Sequence, residues 1–299
     1  MLVSIHPRKM KLSELMSNNK RTVLFDGAMG TQLAEAGLEM GGQTNLSHPD
    51  VVSAIHRHYV ECGVDIIITN TLTMNRVFIE SHKIGVDVRE VNLVGARLAR
   101  TAIHDGQYVL GDIGSTGKLL KPIGSLLKED AYETFKEQAV ILAEGGVDGF
   151  IIETMFDLEE ALCALRACRT AVDLPVIVSM SFNTVKNGGH TIMGNSALDC
   201  AKTLTKEGAW AVGANCGTLD PSQMAVIVSK MREGNSLPII AQPNAGKPRV
   251  VDGRTVFDMT PADFALGIRK CIQAGARLIG GCCGTSPAHI RAVADLLGR

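Results

Sequence analysis

Two adjacent cysteines and one distant one have the neighbours of reactive groups. Cys282 and Cys283 sit inside glycines, in Gly280-Gly281-Cys282-Cys283-Gly284-Thr285, between an apolar run at 276–279 and a helix start at Ser286-Pro287. A glycine-rich loop packs little, so hydrophobic burial does not account for two thiols there. Cys216 follows Asn215 at the end of another apolar run. Zinc favours thiolate ligands, and three protein ligands leave one tetrahedral position open, the mark of a catalytic site. A substrate thiol entering that position would give up its proton, because coordination favours the thiolate. The Cys282-Cys283 pair alone also suits a vicinal redox disulfide, or a phosphate loop with incidental cysteines, since no C-x-x-C partner accompanies it. Cys62, Cys163, Cys168, Cys200 and Cys271 lie in apolar, helix-like contexts, where a free cysteine packs as a small hydrophobe.

Composition narrows the chemistry further. The 299 residues are 45% hydrophobic, enough for a large core, and the formal charge of −1 gives no electrostatic case for nucleic acid or a membrane surface. Aromatic residues make up 4%, too few for a base-stacking surface. The first twenty residues are polar and basic without an apolar signal core, and no run reaches membrane-spanning length. A reducing cytoplasm is therefore the expected compartment, and there clustered cysteines read as metal-binding or catalytic.

The elements that must position these residues repeat one unit: a short apolar run, a polar residue at its end, then an amphipathic helix. Residues 1–20 read as an N-terminal extension, a short helix or tail, and 21–299 as one domain. The runs begin near Val23, Ile66, Tyr108, Gly149, Val176, Ala211, Ile239 and Arg277. Eight strands alternating with helices and no linker predict a single (β/α)8 TIM barrel. A doubly wound sheet is the alternative, but Asp26-Gly-Ala-Met-Gly-Thr31 after the first strand is not its G-x-G-x-x-G fingerprint. A small hairpin is expected around Asp252-Gly253. In a barrel the strand ends converge on one face, which would bring together Asp26, Asn70, Asp112, Glu153, Asn183, Asn215, Cys216, Asn244, Cys282 and Cys283. Asp26 could simply cap a helix, and Asn70 could fix its strand end. Glu153 closes an apolar run and needs a partner if buried; a ligand ammonium would supply one. No histidine sits at metal spacing on a strand end, and His56 and His58 read as helix-surface residues.

Taken together, Asp26-Gly-Ala-Met-Gly-Thr31, Thr69-Asn-Thr71, Gly111-Asp-Ile-Gly114, Glu153-Thr154, Asn215-Cys216, Pro243-Asn-Ala-Gly-Lys-Pro248 and Gly280-Gly-Cys-Cys-Gly-Thr285 resemble the homocysteine S-methyltransferase family. The likeness runs from about Arg21 to the C-terminus, and the Asn-Ala-Gly-Lys-Pro and Gly-Asp-Ile-Gly-x-Thr-Gly runs favour the branch of the homocysteine-binding module of cobalamin-dependent methionine synthase. The resemblance implies a zinc site at Cys216, Cys282 and Cys283 that takes the homocysteine sulfur. It implies that Glu153 and Asp26 hold the ammonium end of the substrate, that backbone amides of Gly27, Ala28, Met29 and Thr31 receive its carboxylate, and that Asn70 and Asn215 help line the site. Asn244 would fill the fourth zinc position without substrate. The implied reaction moves a methyl group, from methylcobalamin on a corrinoid protein, to the homocysteine thiol to form methionine. Two alternatives stand beside it: a thiol-binding component of a multi-protein corrinoid system without independent turnover, and an enzyme using S-methylmethionine or betaine. The run Thr71-Leu-Thr-Met-Asn75 departs from the Phe-Gly-Ala-type loop common in the family, which leaves room for a different acceptor or donor approach. The sequence ends after the barrel, as an excised module or a stand-alone protein would.

Overall fold

The computed structural model describes Leu12, Leu15, residues 21–251 and residues 254–299. Its strands are β1 Val23–Leu24, β2 Ile66–Ile68, β3 Tyr108–Ile113, β4 Gly149–Met155, β5 Val176–Met180, β6 Ala211–Asn215, β7 Ile239–Gln242, β8 Arg249–Val251, β9 Arg254–Val256 and β10 Leu278–Ile279. Eight of them form one parallel sheet in the order β1-β10-β7-β6-β5-β4-β3-β2. The ends of that order meet. Phe25 bridges Ile66, Asp65 N donates to Leu24 O at 2.8 Å, and Asp26 N donates to Ile66 O at 3.1 Å. The molecule is the single (β/α)8 barrel that the strand count predicts. The strands β8 and β9 pair antiparallel at the predicted hairpin, whose turn, 252–253, lies outside the described residues.

The apolar runs are continuous because each strand is covered on both faces. Inward-pointing Phe25, Ile66, Leu110, Ile151, Ile177, Ala211, Ile240 and Leu278 fill the barrel interior. Their neighbours Leu24, Ile67, Val109, Ile152, Val178, Val212, Ile239 and Ile279 face the surrounding helices. Leu12 and Leu15 join the interior cluster, and a Cβ on Gly149, the first residue of β4, would sit 3.2 Å from Leu12 Cδ2. Leu12 and Leu15 therefore lie at the end of the barrel where strands begin, opposite the predicted site. The remainder of the proposed extension, 1–11, 13–14 and 16–20, lies outside the described residues.

Helices Leu158–Ala171 and Pro261–Gln273 follow β4 and β9, and Asp157 and Thr260 cap their first turns. Helix Arg76–His82 is additional to the sequence reading; Asn75 caps it, its Oδ1 accepting from Phe78 N at 2.9 Å. His56 corrects the sequence reading: it is fully buried in helix Pro49–Glu61, whereas His58 is exposed. His56 falls one helical turn after Val52 and so shares the inward stripe with Tyr59 and Val60. Burial pushes its imidazole down to a pKa of about 4, which keeps it neutral.

Candidate metal centre and substrate pocket

Cys216 follows β6, and Cys282 and Cys283 follow β10, with β7 between the two strands. The strand β7 ties the loops together. Cys216 N donates to Gln242 O at 3.2 Å, Cys282 N to Pro243 O at 2.9 Å, and Ala245 N to Cys283 O at 3.0 Å. The three sulfur atoms lie within 4.8 Å of one another, and Cys216 Sγ is 3.8 Å from Cys283 Sγ. A tetrahedral ion with sulfur ligands at about 2.3 Å requires sulfur–sulfur edges of about 3.8 Å. Cys216 has φ of +54°, a left-handed conformation that a side-chain-bearing residue adopts at a cost.

The charge balance of the thiols points the same way. Hydrogen bonds from Cys216 and Cys282 pull the Cys283 thiol down, and the same set of contacts drives Cys282 well up. Cys216 is pushed up to about 12. The thiols compete for negative charge, and a dication bound among them would favour the thiolate form that metal ligands require. Three clustered sulfur donors are a set that a tetrahedral, thiophilic dication such as zinc would fit.

Cys282 and Cys283 form one wall of a cavity of about 260 Å³. Asp26, Asp112, Glu153 and Gln242, from the ends of four strands, line the same cavity. All four are buried. Asp26 Oδ1, Asp112 Oδ1 and Gln242 Oε1 have no hydrogen-bond partner among the described residues, while Asp26 Oδ2 accepts from Ile68 N at 2.9 Å. Burial raises the pKa of all three carboxyls, Glu153 to about 8, and their mutual repulsion raises Asp26 and Asp112 further. A concentration of buried, unpaired acceptors is a receptor for a cation with several N–H donors. Asp112 belongs to the strand-end ring visible in the sequence; Gln242 ends β7 and has no sequence signal beyond that position.

The loop after β1 lies beside the cysteine loop, as β1 pairs with β10, and puts Gly27, Ala28, Met29 and Thr31 on the cavity. It is stitched to the cysteine loop. Gly281 N donates to Asp26 O at 3.0 Å, Ala28 N to Thr285 Oγ1 at 3.0 Å, and Gly284 N to Thr31 Oγ1 at 3.2 Å. Tyr59, from helix Pro49–Glu61, donates its hydroxyl to Ala28 O at 2.8 Å. Gly281 permits this approach, because a Cβ there would stand 2.5 Å from Thr285 Oγ1.

The predicted asparagines have different surroundings. Asn70 lines the cavity, and its Nδ2 donates to Thr44 Oγ1 at 3.0 Å and Asn45 Oδ1 at 3.1 Å, which holds the excursion after β1. Asn215 is fully buried between β4, β5 and Cys282. Asn244 donates to Gly217 O at 2.9 Å, and its Oδ1 is buried without a partner among the described residues, a free oxygen on the loop that pairs with the cysteines. Asn183, from the predicted polar ring, is exposed and lies outside the cavity lining.

Comparison with known proteins gives the family. The family model described as homocysteine S-methyltransferase matches residues 23–297. The chain belongs to the homocysteine S-methyltransferase family. Within that family of methyltransferases, it is 31% identical over 301 residues to a methionine synthase of Mycobacterium leprae and 30% identical over 297 residues to one of Mycobacterium tuberculosis. These alignments cover 94% and 92% of this chain and 24% of each relative, so the chain spans about a quarter of their length. The metallated form of the homocysteine methyltransferase MmuM from Escherichia coli shares the fold, with a TM-score of 0.77 at 20% identity, covering 94% of this chain and 98% of that one.

Proposed function

We propose that the chain binds one zinc ion at Cys216, Cys282 and Cys283 and transfers a methyl group to the thiol of homocysteine, forming methionine. The observation that carries this is the meeting of two features at one cavity: a cluster of three thiols within 4.8 Å, two of which line the cavity, and a buried set of acceptors for an ammonium group. Bound there, zinc would supply the positive charge that lets a substrate thiol ionise near neutral pH.

The chain's own residues supply position. Glu153, Asp26 and Asp112 receive the substrate ammonium, with Gln242 Oε1 as a neutral acceptor. Amides of the loop after β1 receive the carboxylate; Ala28 N is already engaged by Thr285 Oγ1, which leaves the amides of Gly27, Met29 and Thr31. With both ends of the amino acid fixed, the sulfur points along one line toward an incoming methyl carbon. The sulfur–carbon bond forms as the bond between donor and methyl breaks, and the donor keeps that electron pair. No protein group needs to accept a proton in that step.

The donor reaches the site from outside. The cavity is smaller than the roughly 300–1,000 Å³ that drug-sized ligands fill, so it accommodates a small acceptor only. Around it the loops after the strands expose large apolar side chains: Met40, Ile123, Ile192, Val250, Val251 and Val256. An apolar rim of this kind suits a macromolecular donor, and a methylcorrinoid protein is the donor we favour, in keeping with the methionine synthase relatives. Because the chain spans a quarter of those relatives, a component without independent turnover is the second reading. Purified protein is expected to hold about one zinc per chain, and Cys282→Ser or Cys283→Ser to hold none. Methionine is expected from homocysteine with a methylcorrinoid protein, and little with S-methylmethionine or betaine. Activity in metal-free wild type would sink the zinc reading. Turnover on S-methylmethionine or betaine but not on the corrinoid donor would sink the donor reading.

A further inference from the structure

One buried side chain touches the Cys282 thiol and also β4, the strand that carries Glu153. Asn215 is 0% exposed. Its Oδ1 accepts from Thr154 N at 2.9 Å and from Ser179 Oγ at 2.7 Å. Its Nδ2 donates to Thr154 Oγ1 at 2.7 Å and toward Cys282 Sγ at 3.8 Å. These contacts fix which way the amide faces. Thr154 N–H is a donor only, so the side-chain oxygen must meet it, and the NH2 group is thereby aimed at the hydroxyl and the sulfur. Thr154 has φ of +58° and Cys216 has φ of +54°. The residue after Glu153 and the residue after Asn215 are thus both left-handed, and this one amide joins the two strand ends.

We propose that Asn215 is a positioning residue for the metal centre, donating an N–H···S hydrogen bond to the Cys282 thiolate, with the N–H and hydroxyl of Thr154 as the clamp that aims it. The inference rests on the zinc reading above and deepens it. Three thiolates around a dication leave net negative charge on sulfur, and a buried N–H donor disperses part of it. Outer-shell partners of this kind commonly govern ligand retention by a factor of about 10–100. A side chain serving only to pack β6 against β4 and β5 would not do so.

The test compares Asn215→Asp with Ser179→Ala. The aspartate keeps the shape and can still accept from Thr154 N and Ser179 Oγ, but it has no N–H to give. Ser179→Ala removes a contact on the other side of the amide and leaves the N–H in place. Zinc affinity is measured by chelator competition, and the thiolate-to-metal charge-transfer band by absorption after cobalt substitution. Wild type and Ser179→Ala are expected to agree within about threefold, whereas Asn215→Asp loses about 10–100-fold in zinc affinity and shifts the cobalt band. Melting of the metal-free proteins shows whether each variant folds. If the aspartate does not fold, Asn215→Ser, which buries no charge, takes its place with the same expectation. An Asn215 variant with wild-type affinity and an unmoved band overturns the proposal, as does Ser179→Ala falling as far as Asn215→Asp. Failure of the zinc reading looks different: wild type itself would bind neither zinc nor cobalt, and both ideas would fall together.

Discussion

Glu153 is buried, and that burial, with a smaller push from Cys216, raises its pKa to about 8, which has a thermodynamic consequence. The group binds its proton more tightly in the folded chain than in the unfolded one. Its contribution to stability is then full below the unfolded value near 4.5 and is lost as pH rises toward 8. In metal-free, ligand-free protein, Glu153→Gln removes this loss. The variant is expected to gain on wild type across that window, by up to about 1.4 kcal/mol per pH unit, read as a growing difference in melting temperature between pH 5 and pH 8. A difference that stays constant with pH would refute the burial argument. Homocysteine binding should show the complementary effect, releasing protons near pH 7 as the ammonium restores the carboxylate charge. At this scale much of the site was legible. Cys282 and Cys283 announced themselves because glycines surround them, and Glu153 because it closes an apolar run. Gln242 was not legible as a functional partner, and for Asn215 the sequence pointed to the site but not to its contact with Cys282, since a polar residue at a strand end has no local signal for what lies across the barrel.

The strand and helix elements explain how such a site stays in register. The loop from Thr69 to Asn75 contributes Thr69, Asn70, Leu72 and Thr73 to the cavity, and side-chain amides from three helices hold its carbonyls. Asn45 donates to Asn70 O at 2.8 Å, Gln138 to Thr71 O at 2.9 Å, and Asn92 to Met74 O at 2.8 Å. Gln138 also donates to Asn92 Oδ1 at 3.1 Å. On the next loop, Glu160 accepts from Thr116 N at 2.8 Å and Thr116 Oγ1 at 2.6 Å. These polar residues sit inside amphipathic helices, where sequence patterning assigns them to solvent, so the network was invisible before the fold. The strands were visible for the opposite reason: a parallel strand buried on both faces has to be apolar throughout. Gln138→Ala leaves Asn92 Oδ1 without its donor and takes one of two from Thr71 O, which still accepts from Met74 N at 3.0 Å. It is expected to cost about 1–3 kcal/mol in urea unfolding and to raise KM for homocysteine while leaving zinc content unchanged. Loss of zinc together with the stability would show that this loop supports the thiols rather than the cavity.

At the scale of the whole molecule the barrel has two unlike ends. Leu12 and Leu15 lie in the interior cluster toward the end where strands begin, while Asp65, at the start of β2, holds Arg21 at 2.6 Å and Arg299 at 2.7 Å. The other end presents the cavity inside an apolar rim. Among the described residues, the most exposed large apolar side chains of that rim are Val250, on the hairpin after β7, Ile192 and Ile123. Valines in a short hairpin gain nothing from solvent, and the hairpin leans on the site: a Cβ on Gly284 would strike Phe257, one residue beyond β9. If the methyl donor is a protein that docks on this rim, charge placed there should separate donors by size. Val250→Asp with Val251→Asp is expected to raise KM for a methylcorrinoid protein by about tenfold, equivalent to about 1.4 kcal/mol of lost docking energy. Turnover with free methylcobalamin should change less than twofold, because a small donor needs only the cavity mouth. Steady-state rates with both donors, on variants of unchanged zinc content, provide the comparison. Equal losses with both donors would mean that the hairpin shapes the cavity itself, and the partner would then have to dock elsewhere on the rim.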